Sequence, residues 1–365
     1  MKRISIFITA FLLAFTLRVE AQIKVEVSET VELMSILSRM AGFREYSMDM
    51  AGQYTKDTEM WFAPYKEHPI IAYYQGLHNN HSIGYDAVMS MAIHLDINKG
   101  EVKFLGEKSD LEKRWHNVDT DDFVARLNQF YTDTRFHEFY QQHQEFYEEG
   151  LRTYETNVMQ YFHQEWYARF YGSEPTEKFR VVIGFTNGGG NYGPHRQLSD
   201  LPKEVFAIVG YYVNPQTGKA YEKGLDYAST LIHEFNHSFV NPLLNDDSNI
   251  AMLKEIGQNL LKLSPIGMQR QNYAQWNIVV NESIVRAAVI IYMLDNGFSV
   301  EQQLKEIFDN VCRDFRWMPE LVVALRTYAS HREQYKTLND FYPEIARCLG
   351  KYLDDEKGRI EKALK

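Results

Sequence analysis

Cysteine is nearly absent, with only Cys312 and Cys348 in 365 residues. That excludes a disulfide scaffold and a zinc site built from four thiolates. An excess of positive charge is also lacking. Lys and Arg total 39 against 49 Asp and Glu, for a net charge of −10. With no basic stripe, the chain is not expected to bind nucleic acid through its phosphates. Nor is there a polybasic face to hold it on an anionic membrane. After the first segment no unbroken apolar run reaches the roughly 18 residues of a spanning helix, so no membrane span is expected in the mature chain. Repeats and low-complexity tracts are missing too. What is present builds a core: 45% of the residues are hydrophobic and 14% aromatic, with 24 Tyr and 22 Phe. Such a chain is too apolar to be disordered. Its length suits one large domain or two smaller ones.

The first segment reads as an address. Lys2-Arg3 precede an apolar run over 4–17, and Ala21 offers a small residue at a cleavage point. This is the order of a signal peptide spanning 1–21, with no cysteine nearby for lipid attachment. It places the mature chain in the periplasm or outside the cell. Cys312 and Cys348 could oxidise there, but spacing does not decide whether they meet.

The pattern predicts a helix-rich α+β fold. Ile23, Val25 and Val27 alternate as in a short strand. Ser28 or Thr30 caps a helix carrying Val31, Met34, Leu37 and Met40 on one face and ended by Gly42. A second apolar helix covers 86–95. The stretch 119–169 is charge-rich and helical, read as two or three helices with Gly150 as a breaker. The texture changes near 172–178. This divides a mainly helical region, 22–175, from a second region, 176–365. In the second, 180–185 and 204–212 read as strands around the turn-forming Gly188-Gly189-Gly190, and helices run from about Leu225 onward.

One motif carries chemistry. His233-Glu234-Phe235-Asn236-His237 is an H-E-x-x-H sequence. On a helix both imidazoles project from one face onto one metal ion. Zinc accepts imidazole nitrogen at about 2.0–2.1 Å, which this spacing allows. Glu234, beside the metal, can take a proton from the attacking water. Leu231, Ile232, Phe235 and Phe239 surround the polar triad, so this is a buried helix. Asp226 can cap its start, and Asn241-Pro242 breaks its end. The metzincin extension fails, because Val240 and Leu243 stand where Gly and a third His are needed. The better third ligand is Glu282, which heads an apolar run reaching Leu294, since buried Glu is rare unless paired or metal-bound. Arg286 shares its helix face and could support it from behind. The alternatives are a surface Glu282–Arg286 pair, or Glu255, Asp246 or Asp247 as ligand.

These residues resemble a family. His233-Glu234-Phe235-Asn236-His237, followed by a helix opening Asn281-Glu282, looks like the gluzincin branch of zinc metallopeptidases. More narrowly, the chain is similar to a secreted bacterial family described as a domain of unknown function. The match covers roughly 204–295. The resemblance implies a zincin-like core of small sheet and active-site helix, zinc at His233, His237 and Glu282, and Glu234 as general base. It departs in spacing, since Glu282 lies 45 residues beyond His237, longer than in the best-known members, and at Arg286, where some members carry an acid. Zincins also pair an edge strand with substrate backbone, a role open to 180–185 or 204–212. Candidates for an oxyanion donor are Tyr192, His195, Arg196, Tyr211 and Tyr212. His94, His137, His143 and His163 read as structural or surface residues.

The function expected is a secreted zinc metallopeptidase acting on a peptide or protein substrate. Two alternatives stand beside it. One is a zincin-fold binding protein with a non-catalytic metal site, and the other is a zinc amidase for a cell-wall or glycan-linked bond. Cleavage specificity and oligomeric state have no signal in the sequence.

Overall fold

The computed structural model describes residues 23–173, 177–199 and 201–364. The segment read as a signal peptide, 1–21, lies outside them. The fold is α+β and helix-rich, with a small mixed sheet. The strands among the described residues are β1 (Lys24–Glu26), β2 (Leu95–Asn98), β3 (Glu101–Phe104), β4 (Lys178–Gly184), β5 (His195–Arg196) and β6 (Glu204–Gly210). β2 and β3 form a separate hairpin, and the others make one sheet in the order β1-β4-β6-β5.

β1, β4 and β6 are parallel, and β5 runs antiparallel to β6. Parallel neighbours usually need a helical crossover. Here the chain leaves β4, returns along the outer side of β6 and then turns into β6. Tyr192 and Ile208 exchange both backbone hydrogen bonds at 2.9 Å on that return path, and Phe206 donates to the Pro194 carbonyl at 2.9 Å. β1 brings the region before residue 172 into the same sheet as the region after it, and buried side chains from both form one cluster.

Local signals explain the first helix, Glu29–Met40. Ser28 caps it by accepting from the Val31 amide, and Gly42 beyond its end adopts φ +80°. The stretch 119–169 corrects the expected helix count. It forms four helices: Thr120–Asp133, Phe136–Gln142, Gln144–Asn157 and Glu165–Tyr171. Breaks fall at Arg135, with φ +51°, and at His143. Gly150 is not a breaker. It sits inside Gln144–Asn157, where a Cβ would come within 2.7 Å of the Phe185 ring. Its missing side chain is what lets the helix rest against the end of β4.

Two helices carry the candidate site. Gly224–Val240, here the motif helix, follows β6 and packs on the sheet, with Phe235 stacked on Phe179 of β4 at 4.4 Å between ring centres. Its amino-terminal end differs from expectation. Lys223 is the cap and makes no side-chain bond, while Asp226 lies in the first turn. The second, Trp276–Asp295, is long and apolar enough to cross a membrane by length and composition. It is buried around most of its circumference and packs against the motif helix, Asp247–Leu263 and Met318–Ser330. Asn236 donates to the Val285 carbonyl at 3.3 Å, a direct tie between the two helices. Cys312 and Cys348 are both free thiols.

Candidate metal centre

His233 and His237 lie one helical turn apart, with their Nε2 atoms separated by 3.2 Å. Glu282 enters from the neighbouring helix. Its Oε1 lies 3.3 Å from His237 Nε2 and its Oε2 lies 3.6 Å from His233 Nε2. Two imidazole nitrogens and a buried carboxylate in mutual contact could share one metal ion. A proton can serve one such contact, whereas a metal ion serves all three. His237 Nδ1 lies 3.1 Å from Asn241 Oδ1. Donation there leaves the Nε2 lone pair facing the cluster, the arrangement a ligand histidine requires. His233, His237 and Glu282 are the group among the described residues that could hold a metal ion. The alternatives do not reach it: Asp246 caps Asp247–Leu263 through the Ser248 and Asn249 amides, while Asp247 and Glu255 are exposed.

Burial and charge act together on these groups. Burial opposes ionisation of Glu282, but His233, His237 and Arg286 outweigh it and hold the carboxyl well below the usual range. Burial pushes His233 down to about 3, so this imidazole is neutral. Burial would lower His237 as well, but its hydrogen bond and charge contact with Glu282 raise it to about 9. Glu234 is raised to about 7 by burial.

The Glu282 carboxylate is also held from behind. Arg286 Nε donates to Glu282 Oε2 at 3.1 Å, Nη1 to Asn310 Oδ1 at 3.2 Å and Nη2 to the Tyr273 hydroxyl at 3.1 Å. Phe315 lies under the guanidinium, 4.9 Å from the ring centre. Burial and the Glu282 charge raise the Tyr273 hydroxyl to about 12, so it stays a donor. Sequence reasoning passed over Tyr273, which sits in a turn ahead of the helix with no local signal.

Glu234 faces the return segment between β4 and β6. A Cβ on Gly193 would stand 2.8 Å from Glu234 Oε2, so glycine allows this close passage. Neither strand expected to pair with substrate is a free edge. β4 lies inside the sheet, and β6 is covered by the segment through Tyr192 and β5. The glycine run read as turn-forming is packed against the first helical region, since a Cβ on Gly188 would clash with the Glu45 carbonyl oxygen.

The candidate oxyanion donors are not gathered at the cluster. Tyr211 is buried among Phe146, Phe185 and Tyr221, and Tyr212 lies beside Tyr227. His195 is on β5, paired with Val205. Arg196 bonds Glu204 at 2.7 Å, and Tyr192 packs on Tyr46. The four histidines read as structural or surface residues each have a partner of their own. His94 bonds the Ser90 carbonyl, His137 bonds Glu29, His143 contacts Asp57 and His163 stacks near Tyr292.

The chain belongs to the family described as Domain of unknown function (DUF4932), whose model matches residues 17–348. No curated protein and no solved structure matches it.

Proposed function

We propose that this member of the family is a secreted or periplasmic zinc-dependent metallohydrolase of the gluzincin type, acting as a peptidase. The observation that carries the reading is the convergence of His233, His237 and Glu282 next to an intact Glu234 that is not one of the ligands. Ligands about 2.0–2.1 Å from a tetrahedral zinc stand roughly 3.3–3.4 Å apart. The two Nε2 atoms here stand 3.2 Å apart, and the Glu282 carboxylate approaches His237 with Oε1 at 3.3 Å and His233 with Oε2 at 3.6 Å. Two nitrogens and one carboxylate oxygen also match the donor set of a catalytic zinc site, which keeps one position open.

A zinc ion held there would polarise the scissile carbonyl and acidify the attacking water. Glu234 accepts the proton from that water and returns it to the leaving amine. Arg286 and Tyr273 fix the Glu282 carboxylate so that it meets both imidazoles. Gly193 lets the outer segment of the sheet run past Glu234, next to the place where a substrate backbone would lie.

Glu234→Gln tests the reading. The variant keeps the three ligands and the shape of the side chain. It should retain stoichiometric zinc while hydrolysis of an unstructured protein substrate falls at least about a hundredfold. Wild-type turnover in that variant would refute the assigned role.

A further inference from the structure

Beside His233 lies a pocket of about 330 Å³, lined by the motif helix, the Glu282 helix and the helix Val300–Cys312 with Arg313 at its end. His233 and Arg286 form part of its wall, and Val289 is an apolar exception in a polar lining. An apolar substrate side chain placed here would strip water from charged groups and return nothing.

Of the three cations in the lining, Arg286 and Lys305 are engaged and Arg313 is not. Arg286 is engaged by Glu282, Asn310 and Tyr273. Lys305 and Asp309 pair at 2.8 Å. Glu306 Oε1 accepts from Asn310 Nδ2 at 3.1 Å. Asp226 lies in the first turn of the motif helix, where the helix dipole favours an anion, and its charge acts on Lys305. Arg313 lines the same pocket and is exposed, and its charge reaches the His233 imidazole. Among the described residues its guanidinium has neither an ion pair nor a hydrogen bond. A planar guanidinium with free donors is suited to a carboxylate.

Resting on the zinc-hydrolase reading, we propose that this pocket receives the substrate residue next to the scissile bond and that Arg313 selects a carboxylate there. Consecutive Cα atoms are about 3.8 Å apart, so a group bound at the metal delivers its neighbouring residue to the pocket that shares the His233 wall. The carboxylate belongs either to an Asp or Glu side chain or to the end of a peptide.

Hydroxamates that anchor on zinc separate these cases. Four probes are titrated into the zinc-loaded full chain by calorimetry: hydroxamates carrying Glu-amide, Gln-amide, Leu-amide and Leu with a free carboxylate. A charge-assisted bidentate pair at Arg313 should make one carboxylate probe bind about tenfold tighter than its neutral counterpart. Preference for Glu-amide identifies the side chain, and preference for free Leu identifies the chain end. Arg313→Ala should erase the difference and Arg313→Lys should keep part of it, with circular dichroism unchanged in both. Equal binding of all four probes, or a preference that survives Arg313→Ala, overturns the role of Arg313 and leaves the zinc reading standing. Failure of every hydroxamate to bind overturns both.

Discussion

Arg286 shows how much of the site depends on a residue outside the ligand set. Its guanidinium donates to Glu282, and Asn310, Tyr273 and Phe315 hold it in place. Replacing it by Met leaves a buried carboxylate without its guanidinium. Breaking a buried pair in this way costs about 3–5 kcal/mol. Arg286→Met should therefore lower the melting temperature of the metal-free protein by several degrees and weaken zinc affinity roughly ten- to a hundredfold. Thermal melts and a competitive zinc titration read the two effects separately. An unchanged zinc affinity would mean that Glu282 is held without Arg286. At this scale the His pair is legible in the sequence, because i,i+4 spacing is a local property of a helix. Glu282 is legible more weakly, as a lone acid heading an apolar run. Tyr273 and Gly193 are not legible at all, since their contacts join parts of the chain far apart in sequence, and nothing beside either residue announces them.

The elements that frame the site are tied together by a few buried polar contacts. Gly193 fixes the distance between the outer sheet segment and Glu234. Gly193→Val should displace the Glu234 carboxylate and reduce turnover at least tenfold, while zinc stoichiometry stays at the wild-type value. A variant that hydrolyses normally would show that the base tolerates displacement. Further back, fully buried Glu32 on the first helix accepts from the Phe185 amide at 2.6 Å, from Tyr54 at 2.9 Å and from Thr186 at 3.1 Å. It holds the exit of β4, where the return segment begins. Burial raises its carboxyl from 4.5 to about 7, against the pull of these hydrogen bonds. A carboxyl raised in the fold stabilises it fully below about pH 4.5, and that contribution is lost as pH climbs through about 7. The loss is on the order of 3 kcal/mol. Denaturant unfolding of wild type and Glu32→Gln at pH 5 and pH 8 checks the sign. The advantage of wild type over the variant should shrink at the higher pH, and an advantage that grows would contradict the assignment. Sequence periodicity locates these elements well but miscounts the helices of 119–169, because the breaks at Arg135 and His143 carry no Gly or Pro, while Gly150, which looks like a breaker, lies inside a helix.

For the whole molecule, pattern and composition reach the class of the fold but not its assembly. Alternation at Ile23, Val25 and Val27 marks β1 as a strand, yet nothing local says that it pairs with β4 across the intervening helices. Strand pairing at that separation is decided by the shared core, not by neighbouring residues. The same holds for the sheet edge: the runs 180–185 and 204–212 are recognisable as strands, whereas the return segment that covers β6 lies in a stretch that reads as a turn. The assembled fold brings the motif helix and the Glu282 helix side by side, and the account rests on what that contact creates. The most direct test is the zinc content of the purified protein, prepared without chelators and dialysed against zinc-free buffer. The account predicts one zinc per wild-type chain and per Glu234→Gln chain, with stoichiometric binding lost in His233→Ala, His237→Ala and Glu282→Ala. A wild-type protein that takes up no zinc, or a Glu282→Ala variant that keeps it at full stoichiometry and affinity, would contradict it.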